Sequence, residues 1–385
     1  PGGEGELERA PGATRSVRVA AAQAGASGTG PACLGRSPCI PVEPSPGLWG
    51  ACPEPLADGF GRRITDLRIS VTDRCNLRCR YCMPEEGVRL LDHDRVLRSE
   101  EIIRVVKVAV ALGVRKVRLT GGEPLLRSDL PALIAALSGI RGLEDVALTT
   151  NGVLLGRYAQ DLRTSGLRRV NVSLDTLRPE RFAAITRRDN LHRVLDGIAS
   201  AQRAGFSRIK VNMIPMRGCN DDEIASMAHW AVANGLHLRF IEFMPFAGNG
   251  WSPDRVVSAA EIRAALSGAL PLGEGRRESP HSPEITYEIE GSAASLGIIA
   301  SVTQPFCEHC SRMRLTAEGR LRPCLHADVE EDIATLLRTG ADEEALGEAF
   351  RTAARVKPQG HRDLGTGTGA RPHAATVRPM VRIGG

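Results

Sequence analysis

The sequence predicts an α/β protein: a partial, TIM-like (β/α)6 barrel of parallel strands followed by a C-terminal extension. Three observations carry this. From Asp66 onward, short β-rich runs alternate six times with helix-length amphipathic segments. After about Pro280 that rhythm breaks. Six of the ten cysteines fall into two tight groups, one just behind the first strand-like run and one in the extension. Strand–helix alternation at this spacing means parallel strands joined by right-handed crossovers. An open doubly wound sheet meets the same periodicity, and the pattern alone does not separate the two.

The elements follow in chain order. Residues 1–60 hold 11 Gly and 9 Pro, a density without a period that reads as a disordered extension. Glu4, Glu6 and Glu8 argue against an acidic-poor transit peptide there. Strands are predicted at Leu67–Val71, Val117–Thr120, Val146–Thr150, Val170–Leu174, Ile209–Ile214 and Leu238–Phe243. Helices between them include Ser99–Leu112, opened by Ser99 as N-cap with Glu100 and Glu101 in its first turn, then Leu130–Leu137 and Asp221–Asn234. In the extension, Ile285–Ile289 and Ile298–Val302 read as antiparallel strands, and Asp332–Arg338 and Glu343–Arg355 as helices. Residues 357–377 are loose. The organisation is therefore 1–60 extension, 61–280 barrel and 281–385 C-terminal domain.

Composition excludes several classes. A net charge of +5 on 385 residues is too mild for a nucleic-acid footprint, and 4% aromatics supply no stacking platform. No run reaches the ~18 apolar residues of a membrane span. Disulfide frameworks belong to small secreted domains, so grouped cysteines in a chain of this length point to metal in a reducing compartment. Cys33, Cys39 and Cys52 lie in the loose N-terminal stretch, and Cys219 stands alone.

The first group, Cys75, Cys79 and Cys82, has the spacing C-x3-C-x2-C and follows the first strand, on the rim where barrel active sites gather. A structural zinc site wants four ligands, and so does a [4Fe–4S] cube. Three thiolates on a cube leave one iron open to a small molecule. Zinc with a borrowed ligand such as His93 is the other reading of the spacing. Tyr81, between two of the thiols, offers a face to an adenine. Gly121-Gly122-Glu123-Pro124 ends the second strand, where glycines let a ligand approach the backbone. The second group, Cys307, Cys310 and Cys324, again has three thiols. Arg312 and Arg314 follow at i and i+2, on one side of an extended segment. Their planar forks suit phosphate, although solvation or neutralisation of the thiolates explains them as well, and His309 is an alternative ligand.

The C-x3-C-x-aromatic-C run with Gly121–Pro124 in register resembles the radical S-adenosylmethionine superfamily. The two cysteine groups, the arginines and the Gly-Gly terminus together resemble the GTP 3′,8-cyclases, the molybdenum cofactor biosynthesis protein A family. This resemblance covers about Gly61 to Gly385 and includes Asp66-Leu-Arg-Ile-Ser-Val-Thr-Asp, Leu148-Thr-Thr-Asn-Gly, Asn171-Val-Ser-Leu-Asp and Arg239-Phe-Ile-Glu-Phe-Met. It implies two [4Fe–4S] clusters, one on Cys75, Cys79 and Cys82 that binds S-adenosylmethionine, and one on Cys307, Cys310 and Cys324 whose open iron meets the guanine. It implies cofactor contacts at Tyr81, Gly122, Ser173 and Met244, and GTP contacts at Arg68, Arg118, Thr149, Lys210, Arg312, Met313 and Arg314, with Arg68, Arg312 and Arg314 as the catalytic residues. The reaction implied is cyclisation of GTP to (8S)-3′,8-cyclo-7,8-dihydroguanosine 5′-triphosphate, the first step of molybdenum cofactor biosynthesis.

The residues themselves support these positions unevenly. An inward arginine in the first strand, Arg68, has no structural reason and asks for a phosphate or guanine partner. Thr149, Ser173, Lys210 and Met244 are placed at the ends of predicted parallel strands, which face the ligand crevice in such folds. Taken alone, Lys210 is a solvated charge and Met244 a core gap-filler. The terminal Gly384-Gly385 is expected to thread into the site, since a narrow channel admits glycine where larger residues clash.

The partners expected are GTP, an external electron donor and a downstream cyclic pyranopterin monophosphate synthase, with a homodimer compatible and no nucleic acid or membrane. The tail resembles the eukaryotic members, which places the protein in the mitochondrial matrix; otherwise it is cytoplasmic. Two rivals stand beside this reading. A peptide-modifying radical enzyme predicts more than three cysteines in the extension and no Arg-x-Arg. A zinc module predicts colourless protein.

Overall fold

The computed structural model describes residues 54–360 and 378–384. The extension up to residue 53 with Cys33, Cys39 and Cys52, the stretch 361–377 and Gly385 lie outside the described residues. Twelve strands make one sheet: β1 (Asp66–Ser70), β2 (Lys116–Thr120), β3 (Asp145–Thr150), β4 (Arg169–Ser173), β5 (Ile209–Met213), β6 (His237–Ile241), β7 (Leu272–Arg276), β8 (Ile285–Ile289), β9 (Ser295–Ile299), β10 (Arg312–Leu315), β11 (Arg320–Arg322) and β12 (Glu331–Asp332). The helices are α1 (Ser99–Ala111), α2 (Leu130–Ser138), α3 (Leu155–Thr164), α4 (Pro179–Thr186), α5 (Leu191–Arg203), α6 (Ile224–Ala233), α7 (Ala259–Ala269), α8 (Ile333–Arg338), α9 (Glu343–Arg355) and α10 (Met380–Ile383).

The sheet runs β12-β11-β10-β1-β2-β3-β4-β5-β6-β9-β8-β7. From β10 to β9 all neighbours are parallel, and an antiparallel pair flanks each side. The β12 and β7 edges do not pair with each other, so the barrel is partial and unclosed. The expected six-strand unit is thus lengthened at both ends, by β8 to β12 from the extension and by β7 just before it. β9 was expected at Ile298–Val302, antiparallel to its predecessor. It lies three residues earlier, pairs antiparallel with β8 as expected, and also pairs parallel with β6. All five of its residues are buried, so it carries no alternation from which its limits could be read.

Alternation within the strands sorts the two faces. Leu67, Ile69, Val117, Leu119, Met313 and Leu315 are essentially inaccessible and pack into one apolar cluster with the helices. Helix α1 meets that cluster with Ile102, Val105, Val106 and Ala109, the i, i+3, i+4, i+7 stripe of an amphipathic helix. Burial of each such side chain is worth about 1.5–3 kcal/mol. Ser99 is not the cap of α1. It is the first helical residue and its hydroxyl donates to Asp129 at 2.6 Å, while the Arg98 N–H, at the N-cap, donates to Glu101 at 2.7 Å.

Candidate active site

The other face of the parallel strands encloses a cavity of about 440 Å3. It runs the length of the strands. Asp66, Lys116, Asp145 and Arg169 at the strand starts line it, and so do Cys75, Gly121 and Asn151 beyond the strand ends. In a filled (β/α) barrel this space is taken by layers of branched side chains. Here strand register sets Arg314, Arg68 and Arg118 side by side on β10, β1 and β2. Burial, and then mutual repulsion among the cavity's arginines, holds all three guanidiniums below their ordinary range. A row of desolvated like charges is costly to assemble and is a ready receptor for a multiply charged anion.

The first cysteine group forms the top of this cavity. Cys75, Cys79 and Cys82 line it, with Tyr81 between them. Burial pushes all three thiols up, Cys82 to about 12 with Cys75 nearby as a second cause. Buried neutral thiols facing a cavity suit iron, which deprotonates its thiol ligands on binding. Among the described residues no three His, Cys, Asp or Glu side chains close on a single ion. His93, the ligand that a zinc reading would borrow, is exposed. Asn151 Nδ2 lies 3.8 Å from Cys75 Sγ, and the Tyr81 hydroxyl donates to Asp175 at 2.8 Å. Burial raises Asp175 to about 6. The glycine pair next to the thiols is obligatory: a Cβ on Gly121 would stand 2.6 Å from the Thr72 carbonyl oxygen, and one on Gly122 2.3 Å from that of Arg74. Glu123 beneath them accepts from Thr150 Oγ1 at 2.7 Å, Asn151 N at 2.7 Å and Leu125 N at 3.1 Å. Burial raises it to about 7.

The second group lies toward the opposite ends of the strands, and none of its three cysteines lines the cavity, although Arg312 beside it does. Cys307 and Cys310 immediately precede β10, which runs parallel to β1, whereas Cys75 follows β1. A five-residue strand therefore separates the groups by roughly 17 Å. The fourteen-residue gap to Cys324 is a hairpin: β11 returns antiparallel with Arg322 opposite Arg314, which carries Cys324 back alongside Arg312. Burial alone would raise the Cys310 thiol, but Lys357 and Arg312 reverse this and hold it below its ordinary value.

The structure brings Arg68, Arg118, Thr149, Lys210, Arg312 and Arg314 to the cavity, together with Tyr81, Gly122, Ser173 and Met244. It does not bring the Met313 side chain there: alternation turns it to the opposite face, into the core beside Leu67. Lys210 is at the second position of β5, near the strand start and not its end, and Met244 lies past the end of β6. Three residues were missed. Glu284, on the connection into β8, pairs with Lys210 Nζ at 3.1 Å, with Arg239 Nη1 at 3.6 Å and with His237. Burial would raise this carboxyl, yet the three partners hold it well below the carboxylate range. Gly297 on β9 makes the space, since a Cβ there would stand 2.2 Å from Glu284 Oε1. The alternation that singled out Arg68 also points to Arg239, between buried Leu238 and Phe240. No local pattern marks Glu284.

The C-terminal segment enters the same space. Met380 lines the cavity, Val381 and Ile383 are buried, and Arg314 donates to the Gly384 carbonyl. Arg378 anchors the segment on Glu318 and Glu330.

A partial parallel barrel carrying three thiols on a Gly-Gly-Glu-Pro rim defines a radical S-adenosylmethionine protein, and the model described as "Radical SAM superfamily" matches residues 69–231. A second model, "Molybdenum Cofactor Synthesis C", matches residues 236–363. Curated relatives are similar over most of the chain: a GTP 3′,8-cyclase of Pelotomaculum thermopropionicum is 48% identical over 80% of this chain and 96% of its own length. Those of Heliobacterium modesticaldum and Streptomyces coelicolor are each 45% identical over 86% of this chain, and over 100% and 96% of their own. The chain belongs to the GTP 3′,8-cyclase family. Among solved structures, Streptococcus suis SuiB bound to S-adenosylmethionine superposes with a TM-score of 0.53 at 15% identity, over 75% of this chain and 68% of SuiB. That likeness concerns the fold alone. The relatives named are bacterial and lend the mitochondrial placement no support.

Proposed function

We propose that this chain cyclises GTP to (8S)-3′,8-cyclo-7,8-dihydroguanosine 5′-triphosphate as a radical S-adenosylmethionine lyase in molybdenum cofactor biosynthesis. The observation that carries the reading is the arginine row in a cavity that Cys75, Cys79 and Cys82 line, with Arg312, two residues past Cys310, lining it as well. Cys75, Cys79 and Cys82 would hold the cluster that binds S-adenosylmethionine, and Cys307, Cys310 and Cys324 the second. When bound, these groups supply one-electron cleavage of the sulfonium, a hydrogen-abstracting carbon radical and an open iron for the base.

The chain's own residues do the rest. Tyr81, Gly122, Ser173 and Met244 seat the cofactor, the glycine backbone admitting it closely. Arg68, Arg118, Lys210, Arg312 and Arg314 fix the triphosphate, and Thr149 contacts the nucleotide from β3. Positioning of this kind supplies a large part of the barrier reduction. Walls of packed side chains keep water from a reactive carbon radical. An external one-electron reductant serves the first cluster, and a downstream cyclic pyranopterin monophosphate synthase takes the product. Bacterial relatives favour the cytoplasm, and among the described residues no helix is long and apolar enough to cross a membrane. Anaerobic incubation of reconstituted protein with GTP, S-adenosylmethionine and a strong reductant should yield the cyclised nucleotide and 5′-deoxyadenosine together. Deoxyadenosine without cyclised nucleotide would overturn the substrate assignment.

A further inference from the structure

Lys357 lies just past α9 and is 3% exposed. Its ammonium donates to the carbonyls of Arg312 at 2.7 Å and Pro323 at 2.6 Å. Those carbonyls sit two residues after Cys310 and one before Cys324. Among the described residues no carboxylate pairs with it. A buried ammonium with only neutral acceptors is costly, and such charges are ordinarily paired or lie against a counter-charge. Arg62 provides the contrast. It reaches the same region, donating to the carbonyls of Cys307 at 2.6 Å, Gln359 at 2.7 Å and Pro358 at 2.6 Å, but Asp58 neutralises it at 2.6 Å. The two cations together tie down all three cysteine-bearing segments; of the pair only Lys357 is without a carboxylate, and its charge adds to that of Arg312 two residues from Cys310.

We infer that Lys357 is a positioning residue that serves as the buried counter-charge of the second iron–sulfur cluster, holding the segments of Cys310 and Cys324 together and raising that cluster's reduction potential. This rests on the reading that Cys307, Cys310 and Cys324 carry a cluster. An oxidised [4Fe–4S] core with three thiolates is net anionic, and each added electron deepens that charge. A fixed cation nearby therefore favours the reduced form. At the first group Arg78 donates to the carbonyls of Cys75 at 2.7 Å and Leu77 at 2.9 Å, but it is half-buried where Lys357 is nearly inaccessible.

The test is an EPR-monitored redox titration of the full chain carrying Cys75→Ala, Cys79→Ala and Cys82→Ala, so that only the second cluster reports. It is made with Lys357 present, with Lys357→Gln, which keeps a donor without charge, and with Lys357→Arg, which keeps both. Lys357→Gln should shift the midpoint negative by at least a tenfold change in the oxidised-to-reduced ratio, 59 mV for one electron. Lys357→Arg should remain near the parent. Failure of Lys357→Gln to hold the cluster while Lys357→Arg holds it also supports a charge requirement. An unchanged midpoint in Lys357→Gln, or loss of the cluster from both variants, overturns the inference. Absence of iron from the Lys357-containing parent would instead overturn the cluster reading itself.

Discussion

Gly384 is the sharpest place to perturb the tail. Its φ is +85°, a region that side chains avoid, and an added Cβ would stand 2.9 Å from Thr120 Cγ2 and 3.0 Å from Ser70 Cβ. Gly384→Ala therefore meets two costs, about 1–3 kcal/mol for the backbone conformation and about 1–3 kcal/mol for overpacking. The barrel need not absorb them, because a terminal segment can leave its seat. Even the lower sum, about 2 kcal/mol, multiplies the undocked-to-docked ratio by roughly 30. Arg314 then loses the Gly384 carbonyl and the cavity loses one wall. The expected result is a fall in GTP cyclisation that reaches ~30-fold for that lower sum once the undocked tail predominates, with iron content, GTP affinity and Tm close to those of the parent. A synthetic peptide of the terminal residues should restore cyclisation to a chain lacking both glycines. Full activity of Gly384→Ala, or of the deletion without peptide, would refute the role of the threaded tail.

Other outcomes follow from the same geometry. Reconstituted protein should hold about eight irons per chain. Cys75→Ala should halve that number and abolish S-adenosylmethionine cleavage, while Cys310→Ala should halve it and spare cleavage but not cyclisation; equal loss of both activities would contradict the division. Glu123, with its carboxyl raised to about 7, binds more proton in the native than in the unfolded state, so the stability it lends is present below about pH 4.5 and falls as pH rises to 7. The parent should lose about 3 kcal/mol across that window relative to Glu123→Gln, and parallel pH profiles of their unfolding would exclude this. Glu284→Gln strands Lys210, His237 and Arg239 and should cost about 3–5 kcal/mol, a deficit that inorganic triphosphate partly repairs in thermal melts. Absence of any such repair would show that these cations do not meet the substrate anion.

Much of this was legible because it rests on local pattern. The six strand runs were found to within one or two residues since each alternates or is bounded by turn-forming residues. Both cysteine groups are readable from spacing because their ligands lie close in sequence or across one hairpin. What depends on distant partners was not legible. Glu284 sits on a connection, and its meaning comes from two cations and a histidine on β5 and β6. Lys210 shares its strand with no marker of depth, so its position near the strand start appeared only with the register. Met313 was carried along by its neighbours Arg312 and Arg314, although the two-residue period that aligns those arginines sends the residue between them to the other side.

A barrel of this size ordinarily gains stability by filling its lumen with its own aliphatic side chains. Here that interior is given over to cations and a channel. Whatever anion enters replaces repulsion among Arg68, Arg118 and Arg314 with attraction, and any ligand selective for the folded state stabilises it in proportion to the logarithm of its saturation. The substrate thus serves as a removable part of the hydrogen-bonded interior, and each turnover dismantles and rebuilds a portion of the protein's own core.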